Sequence, residues 1–106
     1  ERRERDAGRW IERIPPPAAR ADDLRVEPLR GDRVKVAWVG DDRDVRAIEL
    51  VVADRNRRIL EGERVRERPY AATLPAPPRD GYVGALLHYP DGSTTAIFLP
   101  IERALD

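Results

Sequence analysis

From residue 24 to residue 101, apolar side chains recur at every second position in short runs, the period of strands that turn one face inward. Leu24 and Val26 alternate with Arg25 and Glu27, and Pro28, which cannot donate to a ladder, predicts a sheet edge. Gly31-Asp32 predicts a turn, after which Val34, Val36 and Trp38 alternate with Arg33, Lys35 and Ala37. Gly40 to Asp44 is a polar turn. Beyond it, Ile48, Leu50 and Val52 fall on one face of a strand and Ala47, Glu49 and Val51 on the other. Asp54-Arg55-Asn56-Arg57 predicts a hairpin loop leading to a short strand around Ile59 and Leu60. The charged stretch from Glu61 to Arg68 predicts an exposed edge strand or loop.

Tyr70, Ala72 and Leu74 resume the alternation, and the proline-rich stretch from Pro75 to Gly81 is a stiff loop. Tyr82 to Tyr89 is mostly apolar and predicts a central strand. Pro90-Asp91-Gly92 turns the chain tightly into a last strand, Thr94 to Ile101. Seven or eight short strands, with a turn signal about every ten residues, predict an antiparallel β-sandwich.

The N-terminal stretch follows a different period. Ala7, Trp10, Ile11 and Ile14 fall at i, i+3, i+4 and i+7, one stripe of an amphipathic helix, although Gly8 costs such a helix about 1 kcal/mol relative to alanine. Pro15, Pro16 and Pro17 then stop the helix and stiffen an extended connector. The expected organisation is therefore a helical arm and proline-rich linker over 1–20 and a β-sandwich domain over 21–106.

Asp23-Leu24-Arg25-Val26-Glu27-Pro28, followed by Val34-Lys35-Val36-Ala37-Trp38, resembles the first two strands of fibronectin type III and related immunoglobulin-like domains. In that family a tryptophan closes the second strand and fills the centre of the core. Pro78-Arg79-Asp80-Gly81-Tyr82 resembles the loop and tyrosine that open the sixth strand, and Asp91-Gly92-Ser93 resembles the final hairpin. The resemblance runs from Ala21 to Ile101 and implies a fold; no integrin-type site is expected from it. Two residues depart from the pattern. Ala76 stands where the family carries a leucine, and the better apolar phase after Tyr82 is Val83, Ala85 and Leu87, whereas an inward Tyr82 would turn Gly84 and His88 inward; a bulge near Gly84 would reconcile the two.

Composition narrows the function. The 106 residues suffice for one domain and one core. Charged residues make up 38% of the chain, yet 20 basic and 20 acidic side chains cancel, leaving no long-range field to gather nucleic acid or anionic lipid. No cysteine is present, which removes disulfides, thiolate metal sites and thiol nucleophiles. No apolar run approaches the roughly 20 residues of a bilayer-spanning helix, so direct membrane insertion is not expected. The chain opens on Glu1, and the expectation is a fragment or processed product of a larger protein, such as a bacterial surface, secreted or appendage component.

Chemistry-bearing residues are sparse. His88 is the only histidine, and a nucleophilic triad needs a base held between a nucleophile and an orienting carboxylate. Asp41, Asp42 and Asp44 cluster around Arg43 without the glycine turn and distal glutamate of a calcium-binding hand, and read as a solvated turn. The arginines from Arg55 to Arg68 are interleaved with Glu61, Glu63 and Glu67 and lack stacking rings, so they do not form a nucleic-acid platform. GxGxxG and GxxxxGK are both absent.

The sequence thus predicts a non-catalytic interaction or spacer module with no cofactor and no metal. Its partner would be a neighbouring domain or subunit contacted through Trp10, Ile11 and Ile14. The alternative is a carbohydrate-binding module, which requires coplanar exposed aromatics from among Trp10, Tyr70, Tyr82 and Tyr89. The compartment is not fixed by these residues, and a cell-surface setting accords with the appendage expectation.

Overall fold

The computed structural model describes residues 11–12 and 23–105. Seven strands run antiparallel in two sheets: β2 (Leu24–Leu29), β3 (Arg33–Trp38), β4 (Ala47–Ala53), β5 (Ile59–Val65), β6 (Tyr70–Pro75), β7 (Tyr82–His88) and β8 (Ser93–Pro100). One sheet has the order β2-β3-β6. The other has the order β8-β7-β4-β5, extended at β8 by the two-residue parallel strand β1 (Ile11–Glu12). One short helix, α1 (Ile101–Ala104), follows β8.

Alternation closes the sandwich. Val34, Val36 and Trp38 in β3 are 2%, 0% and 3% exposed, and they meet Leu24 from β2 and Ala72 and Leu74 from β6 on the inner face of the smaller sheet. Ile48, Leu50 and Val52 of β4 and Val83, Ala85 and Leu87 of β7 supply the facing layer. Side chains two apart share a strand face, so this inward set leaves Arg33, Lys35 and Thr73 on solvent. The indole of Trp38 is held in place by its Nε1, which donates to the carbonyl of Asp41 at 3.3 Å.

The turns follow the local chemistry. Gly31 (φ 76°) and Asp32 (φ 60°) take the left-handed conformations that a tight β2–β3 reversal demands. In the β4–β5 hairpin, the Asp54 carboxylate accepts the backbone N–H groups of Asn56 and Arg58, both at 2.9 Å, an Asx turn that leaves Arg57 at φ 63°. Pro28 lies on edge strand β2, as predicted. Strand β5 forms the edge of the larger sheet away from β8, exposed from Ile59 to Arg64 and charged at Glu61, Glu63 and Arg64.

Two readings are corrected. Strand β7 pairs without interruption with β4 and β8 across Gly84, so there is no bulge at that glycine. Tyr82, Gly84 and His88 all face away from the core, and the register shift in this sheet lies instead between Val52 and Ala53, where β4 meets β5. Ile11–Glu12, within the stripe that predicts helix, are extended and pair with Ser93 and Thr94. The rest of the predicted arm, including Ala7, Trp10 and Ile14, lies outside the described residues.

Candidate functional site

The inward phase of β7 forces its other residues onto the outer surface of the larger sheet, and the register then decides their company. His88 lies opposite Thr94, Leu86 opposite Ala96 and Gly84 opposite Phe98 on β8. On the other side, Glu49 of β4 lies opposite Leu86, and Val51 opposite Gly84. Ile59, at the start of β5, and Arg57, from the hairpin before it, complete a groove of about 330 Å³ lined by Arg57, Ile59, Leu86, His88, Thr94, Ala96 and Phe98. Thr94 to Phe98 spans four residue steps, so the groove is about 13 Å long, the reach of about four extended residues.

Its floor depends on a missing side chain. A Cβ at Gly84 would lie 2.8 Å from Phe98 Cδ1 and 2.9 Å from the carbonyl oxygen of Ile97. The glycine therefore lets the Phe98 ring lie down against the sheet. Tyr82 meets that ring edge-on, with centroids 6.1 Å apart and planes at 76°. The guanidinium of Arg57 sits 5.1 Å from the Tyr82 centroid and 5.7 Å from that of Phe98. At an exposed position such a contact contributes about 0.5–1 kcal/mol. Among the described residues no carboxylate pairs with Arg57.

At the other end of the groove, His88 lies between a hydroxyl and a carboxylate. Its Nδ1 is 3.2 Å from Thr94 Oγ1, and its Nε2 is 3.4 Å from Glu49 Oε1 without forming a hydrogen bond. Sequence reasoning missed both neighbours, because they come from β8 and β4 and meet His88 only through sheet pairing. The row resembles a nucleophile–base–acid line in residue type and in the 3.2 Å Thr94–His88 contact, but no hydrogen bond joins His88 to Glu49. Thr94 is 7% exposed and paired on both sides, with His88 of β7 and Glu12 of β1, so its backbone serves the sheet instead of an oxyanion. What the row supplies is a polar end to an otherwise apolar groove.

A second polar cluster knots two loops together. Arg68 donates to both oxygens of Asp42, each at 2.6 Å, and Arg43 clasps Asp41, its Nη2 donating to Oδ2 at 2.8 Å. These hydrogen bonds, with the positive charge behind them, lower the Asp42 carboxyl and bring that of Asp41 down to about 2. Tyr70 is pushed up, mainly by desolvation and then by Asp42, to which it hydrogen-bonds. The adjoining depression, about 580 Å³, is lined by Trp38, Val39, Asp42, Arg68 and Tyr70 among others. Asp42 already receives a bidentate guanidinium and a phenol, so the cluster satisfies itself and offers no open charge.

The remaining candidates stay apart. Among the described residues, no group of three His, Cys, Asp or Glu converges to hold a metal, and no helix is long and apolar enough to cross a membrane. Strand β5 carries Glu61, Glu63 and Arg64 and is exposed from Ile59 to Arg64, so it presents no basic surface. Tyr89 is 6% exposed, Tyr70 and Tyr82 are half-buried, and Tyr82 stands nearly perpendicular to Phe98, so these rings form no flat sugar platform. Of the expected partner-binding residues, Ile11 is placed by its backbone beside Ser93, next to Thr94 at the rim of the groove. Trp10 and Ile14 lie outside the described residues.

The expectation of no integrin-type sequence needs correction, because the exposed β2–β3 turn reads Arg30-Gly31-Asp32. These residues form the reversal itself, and the Asp32 carbonyl accepts Ala76 N–H at 2.8 Å. Such a tripeptide arises readily by chance in a chain this rich in arginine and aspartate. Compared with protein-family models, with curated proteins and with solved structures, the chain matches none.

Proposed function

We propose that this chain is a non-catalytic interaction module of a larger protein, with fibronectin type III-like architecture, and that it docks its partner on the outer face of the larger sheet. The strand order supports the architecture. In a constant-type immunoglobulin domain the fourth strand of the sandwich lies in the sheet of the first, second and fifth. Here the fourth, β5, pairs with the third, β4, in the opposite sheet. Trp38, closing the second strand of the sandwich at the centre of the core, agrees with the same reading.

One observation carries the docking surface: an apolar groove of Ile59, Leu86, Ala96 and Phe98 opens on the outer side of a sheet whose inner side already forms the core. A sheet packed on one side needs a polar outer side, and the smaller sheet has one in Arg33, Lys35 and Thr73. The larger sheet breaks that rule where β7 and β8 cross it. Half-buried Leu86, Ala96 and Phe98 beside exposed Ile59 give a partner an apolar surface to cover, which supports the docking reading. The arm bearing Trp10, Ile11 and Ile14 would supply a second contact, since Ile11 enters the sheet beside β8.

The test is selection of a displayed random-peptide library on the wild-type protein, followed by scoring the clones against Ala96→Gln, which fills the groove without altering charge. Loss of binding by most clones supports the reading. Clones that bind both proteins alike contradict it, once matched melting curves show that the variant is folded.

A further inference from the structure

We infer that the groove selects an acidic polypeptide segment, with a partner carboxylate engaging Arg57 and an aliphatic side chain lying over Leu86 and Ala96. The inference rests on the docking reading above and adds the chemistry of the partner. Arg57 is the one permanently charged side chain lining the groove, and no acid lines it. Arg43 and Arg68, by contrast, are already engaged by Asp41 and Asp42. Arg57 has no carboxylate among the described residues, and the rings of Tyr82 and Phe98 hold its guanidinium in place.

That arrangement prepares a cation for an incoming anion. A guanidinium stacked on rings keeps its edge N–H groups free for bidentate hydrogen bonds, and its position costs little further ordering when a carboxylate arrives. A basic partner residue would meet an unpaired like charge, while a wholly apolar one would strand the guanidinium. Glu49 is turned to the opposite end, 3.4 Å from His88 Nε2, and the Asp54 carboxylate of the hairpin is taken up by the backbone N–H groups of Asn56 and Arg58, so neither pairs with Arg57. Spacing sets the length of the segment. The groove accommodates about four extended residues, so a short acidic-aliphatic stretch can place one carboxylate at Arg57 and one aliphatic group between Leu86 and Ala96.

The experiment is a titration of the isotope-labelled full chain, followed through its backbone amide resonances, with the capped peptide Ac-Leu-Glu-Leu-Glu-NH2 and its glutamine twin Ac-Leu-Gln-Leu-Gln-NH2. The acidic peptide is expected to shift the amides of β7 and β8 around Leu86, Ala96 and Phe98. The twin should bind about tenfold more weakly, the scale of a charge-assisted hydrogen bond. Arg57→Gln should bring the acidic peptide down to the level of the twin, with Arg57→Lys intermediate because it keeps the charge and loses the fork. Equal binding of the two peptides in the groove overturns the acidic preference and leaves the docking reading standing. Shifts confined to another surface, or none at millimolar peptide, overturn the inference; the library selection then decides whether the docking reading falls with it.

Discussion

Adding a single methyl group at Gly84 tests the outer face from within. The residue has no left-handed φ, so its glycine is not there to relieve the backbone. On propensity alone, Gly84→Ala should stabilise the strand by roughly 0.5–1 kcal/mol. The neighbours oppose that gain. The new Cβ would lie 2.8 Å from Phe98 Cδ1, 3.1 Å from Phe98 Cε1 and 2.9 Å from the Ile97 carbonyl oxygen. The ring can swing away, but the carbonyl belongs to β8 and cannot move without disturbing the ladder. Overpacking of this kind costs about 1–3 kcal/mol, and lifting Phe98 off Tyr82 forfeits about 0.5–1.5 kcal/mol of edge-to-face contact. Net destabilisation of about 1–3 kcal/mol follows, read by urea unfolding with an unchanged m-value. In a Phe98→Ala background the ring clash disappears and only the carbonyl remains, so the same alanine should cost at least 1 kcal/mol less, a coupling that a double-mutant cycle detects. A Gly84→Ala protein as stable as wild type, or a cost unchanged by Phe98→Ala, would refute the reasoning.

Other substitutions divide the molecule by role. Trp38→Ala should cost about 3–5 kcal/mol and bring the domain close to unfolding, while Trp10→Ala leaves the sandwich intact; equal losses in melting temperature would refute that division. The paired loops should give the protein a specific acid sensitivity. The carboxyls of Asp41 and Asp42 are lowered in the folded state, so their contribution is fully present above their ordinary value near 3.8 and is lost as pH falls through the folded value, about 2 for Asp41. Arg68→Gln should therefore lower the melting temperature at pH 7, and the deficit should shrink as pH falls below 3.8 and Asp42 takes up its proton; a deficit that does not change with pH would contradict the linkage. Asp54→Ala removes the acceptor of two backbone N–H groups and should destabilise the hairpin that carries Arg57 by about 1 kcal/mol, with amide exchange quickening at Asn56 and Arg58.

Much of the core was legible because it is built from local alternation. Val34, Val36 and Trp38 declare their face three times over in five residues, and Ile48, Leu50 and Val52 do the same. Strand β7 was harder. Gly84 and Ala85 are both small, and the resemblance invited Tyr82 inward, whereas the bulkier Val83 and Leu87 won the core and sent the tyrosine out. The groove was illegible for another reason. Arg57, Glu49, Leu86 and Phe98 belong to four separate segments, and only the register of β4, β7 and β8 brings them together. One signal was available: once Val83 is placed inward, Leu86 and His88 must face outward, an apolar residue on the wrong side of a sheet. The Arg30-Gly31-Asp32 turn is fully legible in the residues, since it needs only three neighbours in sequence.

Site-specific photo-crosslinking in the full-length protein tests the docking face most directly. A benzophenone amino acid placed at position 86 or 59 on the larger sheet is expected to form a discrete adduct with the partner. The same group at 35 or 73 on the outer side of the smaller sheet, or at 30 in the β2–β3 turn, should form none. Adducts at 35, 73 or 30 with none at 86 and 59 would contradict the account.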